Sequence, residues 1–174
     1  LTQAGIGGLW FSTIHAFTTN QTAFAFFAMN AALVLVGIAT SIFHLGRPLQ
    51  SWRAFMGVRR SWLSREIVAL NALAFSVLLQ LAAEALPTFS ATRTLPALLA
   101  FSSLAGAVAL LSSIMVYVDT RRVFWSAKQT VPRFLGTTLV LGVAAIGMFA
   151  NQPLTFAATS IFAITKIAFP IAIF

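Results

Sequence analysis

Long apolar runs alternate with short polar loops along this chain, and two of those loops are strongly basic. Several runs exceed the roughly 18 to 20 residues that a helix needs to cross the hydrocarbon core of a bilayer. A mean hydropathy of +0.92 and a charged fraction of 8% lie outside the range of soluble domains. The sequence therefore predicts an all-α, polytopic transmembrane helix bundle, with one domain over residues 1–174. The six predicted helices cover about residues 1–17, 23–45, 62–86, 95–118, 134–150 and 154–174.

The basic residues are concentrated in two loops, residues 44–66 and 119–133. These loops hold nine of the eleven Lys and Arg residues. Six helices running up and down would place both loops at one face of the membrane, which we call face A. Because short cytoplasmic loops carry an excess of Lys and Arg, face A is predicted to be cytoplasmic. The formal net charge of +8 indicates lipid headgroups or a docked partner, and not nucleic acid.

The first basic loop contains signals for the ends of two helices. Gly46 and Pro48 are typical of a helix C-terminus. Apolar residues at helical spacing within residues 49–60 predict a short amphipathic helix lying in the membrane interface. Ser61 or Ser64 is predicted to cap the helix that follows.

Two ionisable side chains flank this loop. His44 falls in the last turn of the second predicted helix, and Glu66 falls in the first turn of the third. A histidine and a glutamate at one membrane edge can accept protons from a quinol or bond a quinone carbonyl. The alternative is structural, with His44 bonded to a loop carbonyl and Glu66 paired with an arginine. Residue types alone favour the structural alternative, because interfacial His and Glu are common.

Three further residues are candidates of lower rank. Tyr117 lies at the face A end of the fourth helix, and Arg121 follows it in the second basic loop. Membrane-interface and headgroup contacts are their default roles. Lys166 lies inside the sixth run, where an intramembrane lysine is a functional candidate.

The composition also restricts the redox centres that the chain can hold. His15 and His44 are predicted at opposite membrane faces, about 30 Å apart, so they cannot ligate one haem iron. The sequence contains no cysteine, so it offers no thiolate ligands for an iron–sulfur cluster. We expect no haem, no iron–sulfur cluster and no metal site in this chain.

Four segments resemble the DMSO reductase anchor subunit family (DmsC-like). They are HLGRPLQSWRAF, SWLSREI, MVYVDTRRVFW and PRFLGTTLVLG. The resemblance extends from the second helix to the fifth and is most specific in the first basic loop. It implies a haem-free membrane anchor of a molybdopterin and iron–sulfur oxidoreductase in a bacterial or archaeal cytoplasmic membrane. Members usually have more helices, so we expect incomplete terminal helices and a longer, eight-helix anchor.

The resemblance also implies a function for particular residues. His44 and Glu66 match positions that serve the quinone site. Beyond the resemblance, we expect Arg47, Tyr117 and Arg121 as further quinone contacts. The ligand would be menaquinone or ubiquinone. A four-cluster iron–sulfur subunit and a molybdopterin catalytic subunit would dock on face A. The chain would oxidise quinol or reduce quinone without acting on the main substrate. Relatives with cytoplasmic catalytic subunits, sulfite-oxidising complexes among them, fit the predicted orientation, so the direction of electron flow stays open.

Three alternatives remain at this point. One is a polysulfide-reductase-type quinone anchor, which differs in helix arrangement. Another is a purely structural membrane subunit. The third is a transporter or channel, with a polar path through the bundle lined by Asn30, Asn71, Gln80, Glu84 and Lys166.

Overall fold

A computed structural model describes residues 1–19, 23–43, 53–85 and 94–150 of the chain. These ranges are helical, without β-strands, which confirms the predicted all-α class. The sixth predicted helix, at 154–174, lies outside the described residues. The helices are α1 (Thr2–Thr19), α2 (Phe24–Phe43), the single turn α3 (Ala54–Gly57), α4 (Trp62–Ala85), α5 (Thr94–Asp119) and α6 (Ala127–Ala150).

Four of the five long helices begin and end within two residues of the predicted bounds, and α6 is the exception. It begins at Ala127, seven residues before the predicted start at 134. The amide groups of Gln129 and Thr130 already donate to the Ser126 carbonyl. The predicted loop 119–133 is therefore too long. The prediction started the helix at its first long apolar run, whereas the helix itself begins earlier and includes the exposed Lys128 and Arg133.

Helix α1 lies at the centre of the described bundle and contacts α2, α5 and α6. Four helices are long and apolar enough to cross a membrane, namely α2, α4, α5 and α6. Helix α1 is not among these four, and its buried residues include Gly7, Gly8 and Ser12. Small residues of this kind let helix backbones approach closely within a membrane bundle.

The glycines of α1 face two different neighbours. A Cβ atom added at Gly7 would overlap the backbone oxygen of Thr138, and Gly142 lies beside it on α6. A Cβ atom added at Gly8 would overlap Oδ1 of Asn30 on α2. The glycines near the start of α1 therefore bring its backbone close to both α2 and α6.

Polar side chains join α1 to α5 in an antiparallel pair. Trp10 Nε1 donates to the Ser103 carbonyl at 3.0 Å. The hydroxyls of Thr13 and Ser103 bond each other at 2.7 Å. Because such groups find few other partners in lipid, these hydrogen bonds hold the register of the two helices.

The described basic residues all lie at one end of the bundle. This end contains the start of α4, the end of α5 and the start of α6. It carries every Lys and Arg in the described ranges: Arg53, Arg59, Arg60, Arg65, Arg121, Arg122, Lys128 and Arg133. The end corresponds to face A of the sequence-based topology.

Candidate functional site at face A

Glu66 lies on the packed stripe of α4, close to the face A end. Leu73, Val77 and Gln80 continue this stripe at helical spacing, and each is fully buried. The Glu66 side chain is itself half-buried. The Ser113 hydroxyl on α5 donates to Glu66 Oε1 at 2.5 Å. The carboxyl group is therefore held between α4 and α5, just inside the basic end of the bundle.

The second carboxylate oxygen of Glu66, Oε2, accepts no hydrogen bond from another described residue. No described arginine forms an ion pair with Glu66, so the structural alternative of an arginine partner finds no support within the described ranges. One oxygen is fixed by Ser113, and the other can receive a hydrogen bond from a ligand hydroxyl.

Ser61 starts the helix that carries Glu66. Its side chain accepts a long hydrogen bond, 3.5 Å, from the Ser64 amide, and its carbonyl accepts from the Arg65 amide at 3.2 Å. Ser64 itself lies inside α4 and is buried, so Ser61 is the capping residue of the two predicted. Glu66 consequently sits near the N-terminus of α4, in its second turn.

Arg65 fixes the turn that precedes α4. Its Nε donates to the Val58 carbonyl at 2.8 Å, and its Nη2 donates to the Arg59 carbonyl at 3.2 Å. The guanidinium also lies over the Trp62 ring, 4.2 Å from the ring centroid. The turn and the first residues of α4 thus form one fixed unit at face A.

Only part of the predicted interfacial helix at 49–60 is helical among the described residues. The helix α3 ends at Gly57, whose carbonyl accepts from the amides of Arg60 and Ser61 and closes the chain into a turn. The prediction is therefore wrong for residues 58–60, while 49–52 lie outside the described ranges. The Met56 side chain is 70% exposed.

Tyr117 follows Ser113 by one helical turn, about 6 Å along α5. Its ring packs against Trp125 at 5.0 Å and Phe134 at 5.4 Å between ring centroids. Arg121 is exposed and has a φ of 51°, a left-handed conformation that ends α5. Tyr117 lies in the last turn of α5 and Arg121 in the loop that follows, and neither bonds Glu66 within the described part of the chain.

The other predicted site residues, His44 and Arg47, lie outside the described residues, as do Gly46 and Pro48. His15 is exposed near the end of α1 that is opposite face A. Among the described residues, no group of three or more His, Cys, Asp or Glu side chains could hold a metal ion.

The polar residues of the predicted transport path do not line one path. Asn30 and Gln80 are fully buried, and each leaves its side-chain oxygen without a partner. Gln80 donates to Glu84 at 3.1 Å. Asn71 is exposed on the outer surface of α4, where it donates to its own helix at Ile67, and Lys166 lies outside the described residues. The placement of Asn71 inside the bundle was wrong.

Sequence analysis missed Ser113. The available signal was the adjacent pair Ser112 and Ser113, one of two serine pairs in a mostly apolar helix, one turn before Tyr117. Buried serines in membrane helices commonly bond their own backbone, as Ser102 does with the Leu98 carbonyl. Only the packing of α5 on α4 shows that Ser113 bonds a carboxylate.

The helical bundle, its four apolar helices and its basic end define a multi-pass membrane protein. The chain belongs to the DMSO reductase anchor subunit family (DmsC), whose family model matches residues 1–173. Fold and family together identify a membrane anchor subunit of an oxidoreductase complex.

A shorter similarity links the chain to one curated protein, the C subunit of sulfite dehydrogenase from Allochromatium vinosum. The two are 53% identical over 38 residues, which are 22% of this chain and 12% of that protein. The chain thus matches only about an eighth of the length of this relative. No solved structure matches the chain.

Proposed function

We propose that this chain is the quinone-reactive anchor of its complex, exchanging electrons between a membrane quinone and an iron–sulfur partner at face A. The observation that carries the proposal is the Glu66 carboxyl group. It is half-buried at the basic end, held on one oxygen by Ser113 and left with the other oxygen available. This environment suits a hydroxyl donor that approaches from the lipid phase.

The residues of the chain would handle protons, while the bound quinone supplies the two-electron chemistry. Oxidation of a quinol to a quinone releases two electrons and two protons. Glu66 would accept one proton, and His44 would accept the other. In the reverse direction, both residues would return their protons. Ser113 would keep the Glu66 carboxyl in place through either step.

The electrons would pass to a docked partner, because a chain without cysteine has no thiolates for a cluster of its own. Membership of the anchor family supports a catalytic subunit and an iron–sulfur subunit as partners. In our proposal, the iron–sulfur subunit holds four clusters and the catalytic subunit holds molybdopterin. Exposed Arg59, Arg60, Arg121 and Arg122 give face A the charge to bind an acidic partner surface. By the positive-inside rule, these partners would lie in the cytoplasm.

The test is the binding of a fluorescent quinol-analogue inhibitor to the purified complex. Replacing Glu66→Gln removes the charged acceptor, so we expect binding about tenfold or more weaker. Glu84→Gln is the matched control, because Glu84 lies near the other end of α4 and bonds Gln80. The amount of assembled complex should be equal in both variants.

Unchanged inhibitor binding in Glu66→Gln would refute the assignment of this residue. No saturable binding in the wild-type complex would instead leave a purely structural anchor as the better account.

A further inference from the structure

A groove runs between α4 and α5 at the basic end of the bundle. Trp62 and Val68 of α4 form one wall, and Leu111 and Met115 of α5 form the other. Its volume is about 550 Å³. The walls are almost wholly apolar, and Leu111 is 55% exposed, so the groove opens towards the lipid that surrounds the bundle. It has the lining expected for a hydrocarbon chain.

The face A end of this groove is basic. Val58 and Arg65 close it, and the exposed Arg59 and Arg60 follow Val58 in the same turn. The carbonyls of Val58 and Arg59 accept hydrogen bonds from Arg65, which holds the turn against the start of α4. The apolar groove and the arginines at its face A end therefore form one continuous surface.

The three arginines have no carboxylate partner within the described part of the chain. Arg65 uses two of its five N–H groups on backbone carbonyls, and its ring contact with Trp62 fixes the plane of the guanidinium. The remaining N–H groups of Arg65 and the two exposed arginines can bind an anion without breaking an existing ion pair.

We propose that the groove is a binding site for an anionic phospholipid, with an acyl chain along α4 and α5 and the phosphate at Arg59, Arg60 and Arg65. Basic pockets between transmembrane helices are suited to anionic headgroups. The groove lies beside the proposed quinone site and shares neither Glu66 nor Ser113 with it, since neither residue lines the groove.

The position of Trp62 allows a direct test. The full-length protein, with the partners that copurify, is placed in vesicles containing either dibrominated phosphatidylglycerol or dibrominated phosphatidylcholine at equal mole fraction. Bromine atoms quench tryptophan fluorescence on contact, and the difference between wild type and Trp62→Phe isolates the signal of Trp62. We expect phosphatidylglycerol to quench this signal at about fivefold lower mole fraction than phosphatidylcholine.

Charge variants separate a headgroup site from bulk lipid. The double variant Arg59→Gln/Arg60→Gln should abolish most of the preference for phosphatidylglycerol. The fold of this variant should be preserved, because neither arginine side chain makes a described contact. The control Lys128→Gln/Arg133→Gln removes two charges from the same membrane face, on α6. This control should keep the preference.

Equal quenching by the two lipids in the wild type would overturn the proposal. A preference for phosphatidylglycerol that falls equally in both double variants would also overturn the proposal, because the preference would then reflect net charge alone. Loss of the phosphatidylglycerol signal on adding one equivalent of a decyl-tailed quinone would assign the groove to the quinone tail instead.

Discussion

One hydroxyl group fixes the position of the Glu66 carboxyl group. Ser113 Oγ donates to Glu66 Oε1, and no other described side chain bonds this carboxylate. A hydrogen bond to a charged group in a partly buried site is worth more than one at the surface. At the scale of single residues, Ser113 is therefore a positioning residue for the proposed site.

Replacing Ser113→Ala should weaken inhibitor binding to the complex roughly fivefold, less than Glu66→Gln, because the carboxylate remains but loses its fixed orientation. Ser113→Thr keeps the hydroxyl and should restore binding. The control Ser102→Ala removes a hydroxyl that bonds its own helix, and it should leave the inhibitor affinity unchanged. Equal losses in Ser113→Ala and Ser113→Thr would show that the volume at this position matters and the hydroxyl does not.

At the scale of helices, α1 owes its central position to small residues. Gly7 and Gly142 place the backbones of α1 and α6 in direct contact, since a Cβ at Gly142 would lie 2.7 Å from the Gly7 carbonyl carbon. Ile6 and Leu9, the apolar residues around Gly7 in the sequence of α1, are buried. Backbone atoms cannot move aside as a flexible side chain can.

We therefore expect Gly7→Ala and Gly142→Ala each to destabilise the protein by about 1–3 kcal/mol. At Gly106, the nearest atom to an added Cβ is Cγ2 of Ile6, at 3.1 Å, and this side-chain end can shift. Gly106→Ala should therefore destabilise the protein less. The gain in helix propensity from Gly to Ala is the same in all three variants, so it does not affect the comparison. Thermal unfolding of the purified protein measures the difference. Similar melting temperatures for all three would argue against direct backbone contact between α1 and α6.

At the scale of the whole molecule, the basic residues define one end of the bundle. Every described Lys and Arg lies there, while the described acids are divided between the ends, with Glu84 near the opposite end. Such an asymmetry sets the orientation of a membrane protein during insertion. It also places the Glu66 site, the groove and the α5–α6 turn on one side of the membrane.

Cysteine labelling can test this orientation without background, because the sequence contains no cysteine. Ser126→Cys lies at the start of α6 on face A, and Ala85→Cys lies at the far end of α4, and both positions are exposed. In intact cells, a membrane-impermeant maleimide should label Ala85→Cys and leave Ser126→Cys unlabelled. Inverted membrane vesicles should give the opposite result. The reverse pattern would place face A outside the cytoplasm.

The sequence by itself determined the helical class, four of the five described long helices to within two residues, and the concentration of basic residues in two loops. These properties follow from local hydropathy and from the free-energy cost of placing charge in lipid. Both depend only on the residues of the segment itself. Hydropathy alone misplaced the start of α6, because the helix begins before its first long apolar run. Glu66 stood out in the sequence because a carboxylate is rare next to long apolar runs.

Only the tertiary structure decided which helix is central, which face of α4 is packed, and which side chains meet. Helix α1 contacts three other described helices, and Asn71 proved to be exposed on α4. The bond between Ser113 and Glu66 joins residues 47 positions apart. Contacts of this kind depend on the rotation and depth of one helix against another, and no local pattern in the chain encodes those two quantities.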